Sequence, residues 1–393
     1  MADDAPYLMP QSGDARAFAR FDLSRVPSPC FVIDACALED NLKTLYALKL
    51  ESGAKIFLAL KAFSMFSLAP LIAKYLDGVC ASGIHEARLG RDAFCREQGE
   101  VATFSTAFKA SEVPDIARLS DHVVFNSLAQ KRTYAETIRA AGKQIGLRIN
   151  PEHSEGTVPR YDPCGPHSRL GVPLSQVTPA HMDGLDGVHM HTLCEQGFGP
   201  LARTWAAAKP TLVPYLGSLK WINLGGGHHL TRPDYDRAGL IALIKDIRAS
   251  FGIEVYLEPG EAVAQDAGIL VGEVLDIVRN QMPIVITDVS ATCHMPDVIE
   301  APYRPELLNE ALEGTPHRFG GPSCLAGDVI GDYKGSFVIG DRFAFLDQAH
   351  YSMVKTNTFN GIALPSIAIW NSETDALKLV RQFGYDDFRQ RLS

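Results

Sequence analysis

Residues 55–63 read KIFLALKAF, an apolar run that drives into a lysine. In an extended strand side chains alternate, so Phe57, Ala59 and Lys61 share one face while Ile56, Leu58 and Leu60 share the other. A lysine in that place either snorkels to water or belongs to a site built at the strand's end. The company of the run decides between the two. Further short β-rich runs follow: GVCAS (78–82), VATFST (101–106), HVVFN (122–126), IGLRIN (145–150), GVHMHTL (187–193), WINLGGG (221–227) and IEVYLEPG (253–260). Helix-like stretches separate them, for example SMFSLAPLIAKYL (64–76) and IHEARLGRDAFCREQG (84–99), where Ile84, Ala87, Leu89 and Phe94 supply an apolar side. With KIFLALK the runs number eight, which is the count that closes a parallel barrel. No GxGxxG opens the first βα turn, as an open doubly wound sheet would favour. The expected fold class is therefore α/β, a (β/α)8 TIM-type barrel, and Lys61 stands at its C-terminal mouth, where such barrels build their sites.

Beyond residue 265 the texture changes to GILVGEVLDIV (268–278), PIVITDVSA (283–291), GDRFAFLDQAHYSM (340–353) and GIALPSIAIW (361–370). Short alternating runs broken by Gly, Pro and Asp predict a C-terminal, mostly antiparallel β domain. The expected division is an N-terminal segment 1–30, a barrel 31–265 and a β domain 266–393, with SPCFVID (28–34) able to add a strand to either domain. Residues 150–173, NPEHSEGTVPRYDPCGPHSRLGVP, form a connection long enough to read as a lid or binding loop.

At 393 residues the chain exceeds what one core supports. With 37 basic against 46 acidic residues its formal charge is -9, which argues against a nucleic-acid partner and suits cationic ligands. The polar first twenty residues lack the apolar core of a signal peptide, and no apolar run is long enough to span a bilayer, so a soluble, cytoplasmic protein without a membrane partner is expected. The eight cysteines are scattered without CxxC or zinc spacing, so neither disulfides nor structural zinc are expected.

A lysine partly withdrawn from water holds its charge less readily and can form an imine with an aldehyde. Pyridoxal phosphate, the obvious such aldehyde, asks in addition for a phosphate cradle, an acid facing its ring nitrogen and a group packed on its ring. Gly225, Gly226 and Gly227 in NLGGGHH can bring backbone amides to a phosphate or simply make a tight turn. Glu258 of YLEPGEA ends the eighth run, where it could hold a ring nitrogen protonated or join a structural ion pair. His189 and His191 share one face of the sixth run. No third ligand follows them at a helpful spacing, so no metal is expected, and His191 reads as a ring-stacking imidazole above a core His189. GPSCLAGD carries Cys324 and Asp328, and AHYSMVKTNTFNG carries Tyr351. A cysteine in such a turn is exposed enough to donate a proton.

In order along the chain, ALKAF, CASGIHEA, HMHTL, LGGG, LEPG, GPSC and AHYSMVKTNTFNG resemble the fold type III pyridoxal phosphate decarboxylases, with their alanine-racemase-like barrel. HTLCEQ, LEPGEAV, DVSATCHMPDVIEAPYRP and GPSCLAGDVIGDY bring the likeness nearest to the carboxynorspermidine/carboxyspermidine decarboxylase family. The resemblance implies an internal lysine link at Lys61, ring stacking by His191 and phosphate binding by Gly225 to Gly227 with Tyr351. It also implies Ser82 among the cofactor-binding residues, Glu258 at the ring nitrogen, and Cys324 supplied by the partner of a homodimer with shared sites. Ornithine and diaminopimelate decarboxylases usually carry arginine directly after EPG, where this chain has Glu261. An anion there favours a substrate with distal amines, a carboxylated polyamine, with Glu261, Asp297, His294 and Asp328 as its expected contacts. The rivals are a diaminopimelate or basic amino-acid decarboxylase, a racemase, and a non-catalytic cofactor-binding protein.

Overall fold

The computed structural model describes residues 13–156, 158–300 and 302–393, so the reading of the first twelve residues lies outside the described part. The chain divides into two compact units, Glu39–Val263 and residues 13–38 with Ala264–Ser393. The first is a closed barrel of eight parallel strands: Lys55–Ala59, Gly78–Ala81, Glu100–Phe104, His122–Phe125, Gln144–Asn150, Gly187–His189, Trp221–Asn223 and Glu254–Leu257. Each of the eight apolar runs contains one of them. Closure comes from Tyr256 and Leu257 of the eighth strand pairing with Lys55 and Ile56 of the first. On the far side His122 to Phe125 pair with Gln144 to Leu147.

Alternation along these strands builds the barrel floor. Phe57, Ala102, Val124, Trp221 and Tyr256, drawn from five strands, form one buried cluster. Gly146 and Gly187 make room for the Trp221 indole, since a Cβ at Gly187 would lie 2.0 Å from Cδ2. The indole N–H donates to Gln144 Oε1 at 2.7 Å, so the polar edge of this buried ring is satisfied. Below the cluster, Glu100 binds Lys55 Nζ at 2.6 Å and also His122 Nε2, while Lys55 reaches Glu254 at 3.4 Å.

The connecting helices follow local sequence. Ser127 caps Leu128–Ala140 by accepting the Gln130 N–H, and Gly252, at φ 69°, ends Arg237–Phe251 in a left-handed residue. SMFSLAPLIAKYL yields only a 3₁₀ turn, Phe66–Leu68, and a single short helix, Ala69–Ile72, because Pro70 lacks an N–H and fits only a first turn. The second expected helix is Ile84–Leu89, which widens at Gly90–Phe94 into a π-turn closed by the Cys95 N–H on the Gly90 carbonyl.

The second unit is a sheet in the order Val329–Lys334, Pro316–Gly320, Met282–Thr287, Gly268–Asn280, Cys30–Asp34, Ser366–Trp370 and Leu377–Arg381, with Arg342–Phe345 also on Gly268–Asn280. Two contacts are parallel, Cys30–Asp34 with Ser366–Trp370 and Met282–Thr287 with Pro316–Gly320; the rest are antiparallel. The strand within SPCFVID thus lies in the β sheet, so the barrel unit starts at Glu39 rather than residue 31. All five residues of Cys30–Asp34 are buried, and Cys30 and Val32 join Phe18, Phe21, Ile269, Val271 and Trp370 in one core. Among the described residues no helix is long and apolar enough to cross a membrane.

Burial would raise the Glu100 carboxyl, but His122 and Lys55 outweigh it and hold it at about 2, below its ordinary 4.5. A depressed carboxyl stabilises the fold above its unfolded value and loses that contribution as pH falls through the folded one. Thermal melts of wild type and Glu100→Gln should therefore differ most at neutral pH and converge from about pH 4.5 toward 2. A gap independent of pH would show that the carboxylate does not carry the interaction.

Candidate active site

The barrel's C-terminal mouth gathers side chains that are far apart in sequence. Its first member is Lys61, whose direction comes from a turn rather than from strand alternation. The strand ends at Ala59, whose carbonyl accepts the Ala62 and Phe63 N–H groups at 3.0 and 3.3 Å. Lys61 is exposed there, with Nζ 3.5 Å from His191 Nε2.

His191 lies two residues past the sixth strand, and its Nδ1 accepts the Gly226 N–H at 3.0 Å. Burial first, then the charges of Lys61 and Arg148, hold its pKa well below the ordinary histidine value. The ring is thus a neutral imidazole with its proton on Nε2, the atom facing Lys61. Its plane lies within 19° of the His189 ring, 6.4 Å away.

Beneath it Glu258 is buried with both oxygens occupied: Oε2 binds His189 Nε2 at 3.1 Å and Oε1 accepts the Asn223 amide at 2.7 Å. Burial pushes this carboxyl up, but His189, the Asn223 amide and Lys61 together hold it at about 2. Burial also pulls His189 down, so a neutral His189 donates to a charged carboxylate. Asn223 reaches the glycine turn as well, its Oδ1 accepting the Gly225 N–H at 2.8 Å.

The three glycines are required by close packing. A Cβ at Gly226 would lie 2.0 Å from the Glu258 carbonyl, and one at Gly227 would lie 1.9 Å from the Leu193 carbonyl. Gly225 and Gly227 also have φ of 73° and 80°. The expected phosphate cradle needs revision, because the Gly225 and Gly226 amides already serve Asn223 and His191. Glu261 opens the short helix Glu261–Ala264, and its Oε1 lies 3.8 Å from Nδ1 of His229, two residues beyond the turn. Ser82, exposed at the end of the second strand, donates its backbone N–H to Glu86 Oε2 at 2.6 Å.

The absence of a third metal ligand is also corrected. Glu258 brings a carboxylate to the two histidines, their ligand atoms all lying within 4.8 Å of one another, because the sixth and eighth strands flank the seventh. Those atoms are nonetheless engaged with Gly226, Asn223 and one another, and Lys61 stands beside His191. An exposed amine, a flat neutral imidazole and a buried anion on one mouth fit pyridoxal phosphate better than a cation, although Lys61 is not withdrawn from water as expected.

Sequence reasoning passed over Arg148, Asn223 and Glu86. Arg148 is buried, donates to the His191 carbonyl at 2.8 Å and lies over Phe104, 4.6 Å from the ring centroid. Its position in IGLRIN, a charge on an otherwise buried strand, is the signal that could have found it. Burial raises the Glu86 carboxyl despite the pull of Ser82 and Lys61.

In the β unit, Cys324 is exposed and its N–H donates to Asn360 Oδ1 at 2.9 Å. Asp328 is buried and accepts from Ser290 Oγ at 2.8 Å and the Thr292 N–H at 3.1 Å, which commits it to the fold instead of a ligand. His294 is closed off likewise, accepting the Ser290 N–H and donating to the Ala363 carbonyl, because its short helix turns the ring back on its own cap. Asp297 is paired with Lys355, which also holds Glu300 at 2.7 Å. Tyr351 has φ 47°, and its carbonyl accepts the Lys355 N–H.

No family model matches the chain. It is 37% identical over 383 residues to a carboxynorspermidine/carboxyspermidine decarboxylase of Campylobacter jejuni, covering 93% of this chain and 99% of that protein. It is 38% identical over 377 residues to a carboxyaminopropylagmatine decarboxylase of Synechocystis, with 94% and 96% covered. Among solved structures, the Campylobacter jejuni carboxynorspermidine decarboxylase complexed with norspermidine superposes with TM-score 0.85 at 36% identity, covering 93% of this chain and all of that one. A Helicobacter pylori diaminopimelate decarboxylase, at 18% identity and TM-score 0.79, covers 94% of this chain and 97% of its own and shares the fold.

Asn223→Leu removes one of the two hydrogen bonds to the buried Glu258 carboxylate and should cost about 2 kcal/mol in urea unfolding. An unchanged unfolding midpoint would mean that His189 alone satisfies the charge.

Proposed function

This chain belongs to the carboxynorspermidine/carboxyspermidine decarboxylase family, and from that premise we propose that it removes the carboxylate of carboxynorspermidine or carboxyspermidine, with pyridoxal phosphate as cofactor, in polyamine biosynthesis. The observation that carries the reading is the approach of Lys61, neutral His191 and the charged, buried Glu258 on one barrel mouth. When bound, the cofactor supplies a protonated ring that takes up the electron pair released as the bond to the carboxylate breaks.

The chain's own groups do the rest. Lys61 is the residue that would hold the cofactor through its aldehyde, from an amine that stands 3.5 Å from His191 Nε2. Neutral His191 would lie against the ring without bringing a charge to it. Glu258, kept anionic by His189 and Asn223, would hold the proton on the ring nitrogen. Arg148 braces His191 through its carbonyl. After carbon dioxide leaves, Cys324 Sγ gives its proton to the substrate's α carbon: S–H breaks, C–H forms from the electron pair left by the carboxylate, and solvent returns the proton to the thiolate. Within the barrel unit, Ser82 and Gly227 are the residues that would meet the cofactor's phosphate in this reading.

The protein acts as a homodimer, each Cys324 serving the site of the partner. Support comes from the exposure of Cys324 beside Leu325 and of Phe359 beside Asn360. A cytoplasmic setting agrees with eight free cysteines.

Glu261 meets the cationic tail. His294, Asp297 and Asp328, engaged within the β unit, are the weaker of the proposed contacts. The relative named for carboxyaminopropylagmatine favours a second reading, a guanidino-ended substrate. Carbon dioxide release from carboxynorspermidine, carboxyspermidine, carboxyaminopropylagmatine and diaminopimelate, measured side by side, tests both. Preference for the carboxylated triamines is expected; preference for the guanidino substrate would establish the second reading, and preference for diaminopimelate would overturn the role of Glu261. Lys61→Ala should lose cofactor absorbance and turnover together, and an active alanine variant would sink the scheme.

A further inference from the structure

The loop that carries Cys324 leaves the strand Pro316–Gly320 and returns as Val329–Lys334. Its base is held firmly. Gly321 N–H donates to the Asp328 carbonyl at 2.9 Å, Asp328 N–H to the Leu325 carbonyl at 3.0 Å, and the Asp328 carboxylate accepts from Ser290 Oγ, the Thr292 N–H and the Ser323 N–H. The loop is thereby fixed to residues 290–292.

A second loop is fixed to the same segment. Asn357 donates its side-chain amide to the Thr292 carbonyl at 2.8 Å and its backbone N–H to the Cys293 carbonyl at 2.9 Å, and its Oδ1 accepts the Phe359 N–H at 3.0 Å. The two loops meet at one further bond, from the Cys324 N–H to Asn360 Oδ1, at 2.9 Å. Asn360 makes that bond from a left-handed backbone, φ 57° and ψ 14°, a conformation that asparagine tolerates and most residues do not. A strained position filled by a side chain that reaches the cysteine's own amide is a specific arrangement.

We infer that Asn360 is a positioning residue for Cys324, clipping the tip of the thiol-bearing loop so that Sγ is held where its proton is needed. The inference rests on the proposed role of Cys324 as proton donor. Asp328 fixes the base of the loop, and Asn360 fixes the residue that matters.

The test uses the cofactor-loaded enzyme and three variants. Asn360→Gly keeps the left-handed backbone and removes the acceptor, whereas Asn360→Asp keeps both. For each, kcat and KM are measured, together with the rate of Cys324 alkylation by iodoacetamide, read by peptide mass spectrometry. Loss of one positioning bond should lower kcat about tenfold in Asn360→Gly with KM within about twofold. The alkylation rate should rise severalfold as the tip loosens, and Asn360→Asp should restore both. Wild-type kcat and alkylation in Asn360→Gly, or an Asn360→Asp as impaired as the glycine variant, would overturn the inference. Cys324→Ala separates it from the reading beneath it: full turnover in that variant removes Cys324 as donor, whereas a slow Cys324→Ala beside a full-rate Asn360→Gly overturns the clip alone.

Discussion

A charged carboxylate inside a barrel must be neutralised or hydrogen-bonded on every side, and Glu258 sets that demand for this protein. His189 answers at one oxygen and Asn223 at the other. Asn223 in turn accepts the Gly225 N–H, and His191 accepts the Gly226 N–H. The sixth, seventh and eighth strands are thus linked at their C-terminal ends by a continuous chain of polar contacts that starts from one buried charge. The glycines follow from the same crowding: side chains at 226 or 227 would strike carbonyls of the neighbouring segments. The carboxylate fixes the polar partners, while close backbone approach requires the glycines: neighbouring carbonyls crowd 226 and 227, and Gly225 leaves room for the Cα and Cβ of His191.

The barrel was legible because its signal is carried many times over. Each strand is a short, almost continuously buried apolar run, and a misjudged helix, as at SMFSLAPLIAKYL, does not alter the strand count. The boundary of the barrel was harder. Cys30–Asp34 is buried at every residue, so its pattern fits a parallel or an antiparallel neighbour equally well, and in fact it has one of each. Only pairing across more than 200 residues of chain decides such a strand, and local sequence does not carry that information.

Within the site, residues that announce themselves by type at a strand end were found: Lys61, His191, the glycines and Glu258. Asn223 was not, because an asparagine before LGGG reads as part of a turn. Arg148 was missed because its charge is answered across the barrel by a backbone carbonyl and an aromatic face. Of the candidates in the β unit for the cationic tail, Asp297 is drawn to the Lys355 side chain, whereas Asp328 and His294 share a different constraint. In a sheet-and-loop unit, Asp and His near short helices are first used to close the backbone, as Asp328 does with Ser290 and Thr292 and His294 with Ser290 and Ala363.

That leaves Glu261 as the acid best suited to a cationic tail, and its chemistry defines what it can select. A carboxylate attracts an ammonium and a guanidinium alike, and in a partly buried place it disfavours a distal carboxylate by like charge. In its proposed role it separates polyamine-type substrates from diaminopimelate-type ones without separating a terminal amine from a guanidine. The latter distinction is one of shape: a guanidinium is planar and presents a fork of donors, whereas an ammonium is a compact point charge. A single carboxylate oxygen can satisfy the compact charge, whereas a bidentate partner for the fork needs both oxygens presented together. At 3.8 Å the approach of Glu261 Oε1 to His229 Nδ1 is an ion-pair separation beyond hydrogen-bond reach, so it does not by itself commit an oxygen, and the proposed role of Glu261 selects for the charge of the tail rather than for the shape of its end.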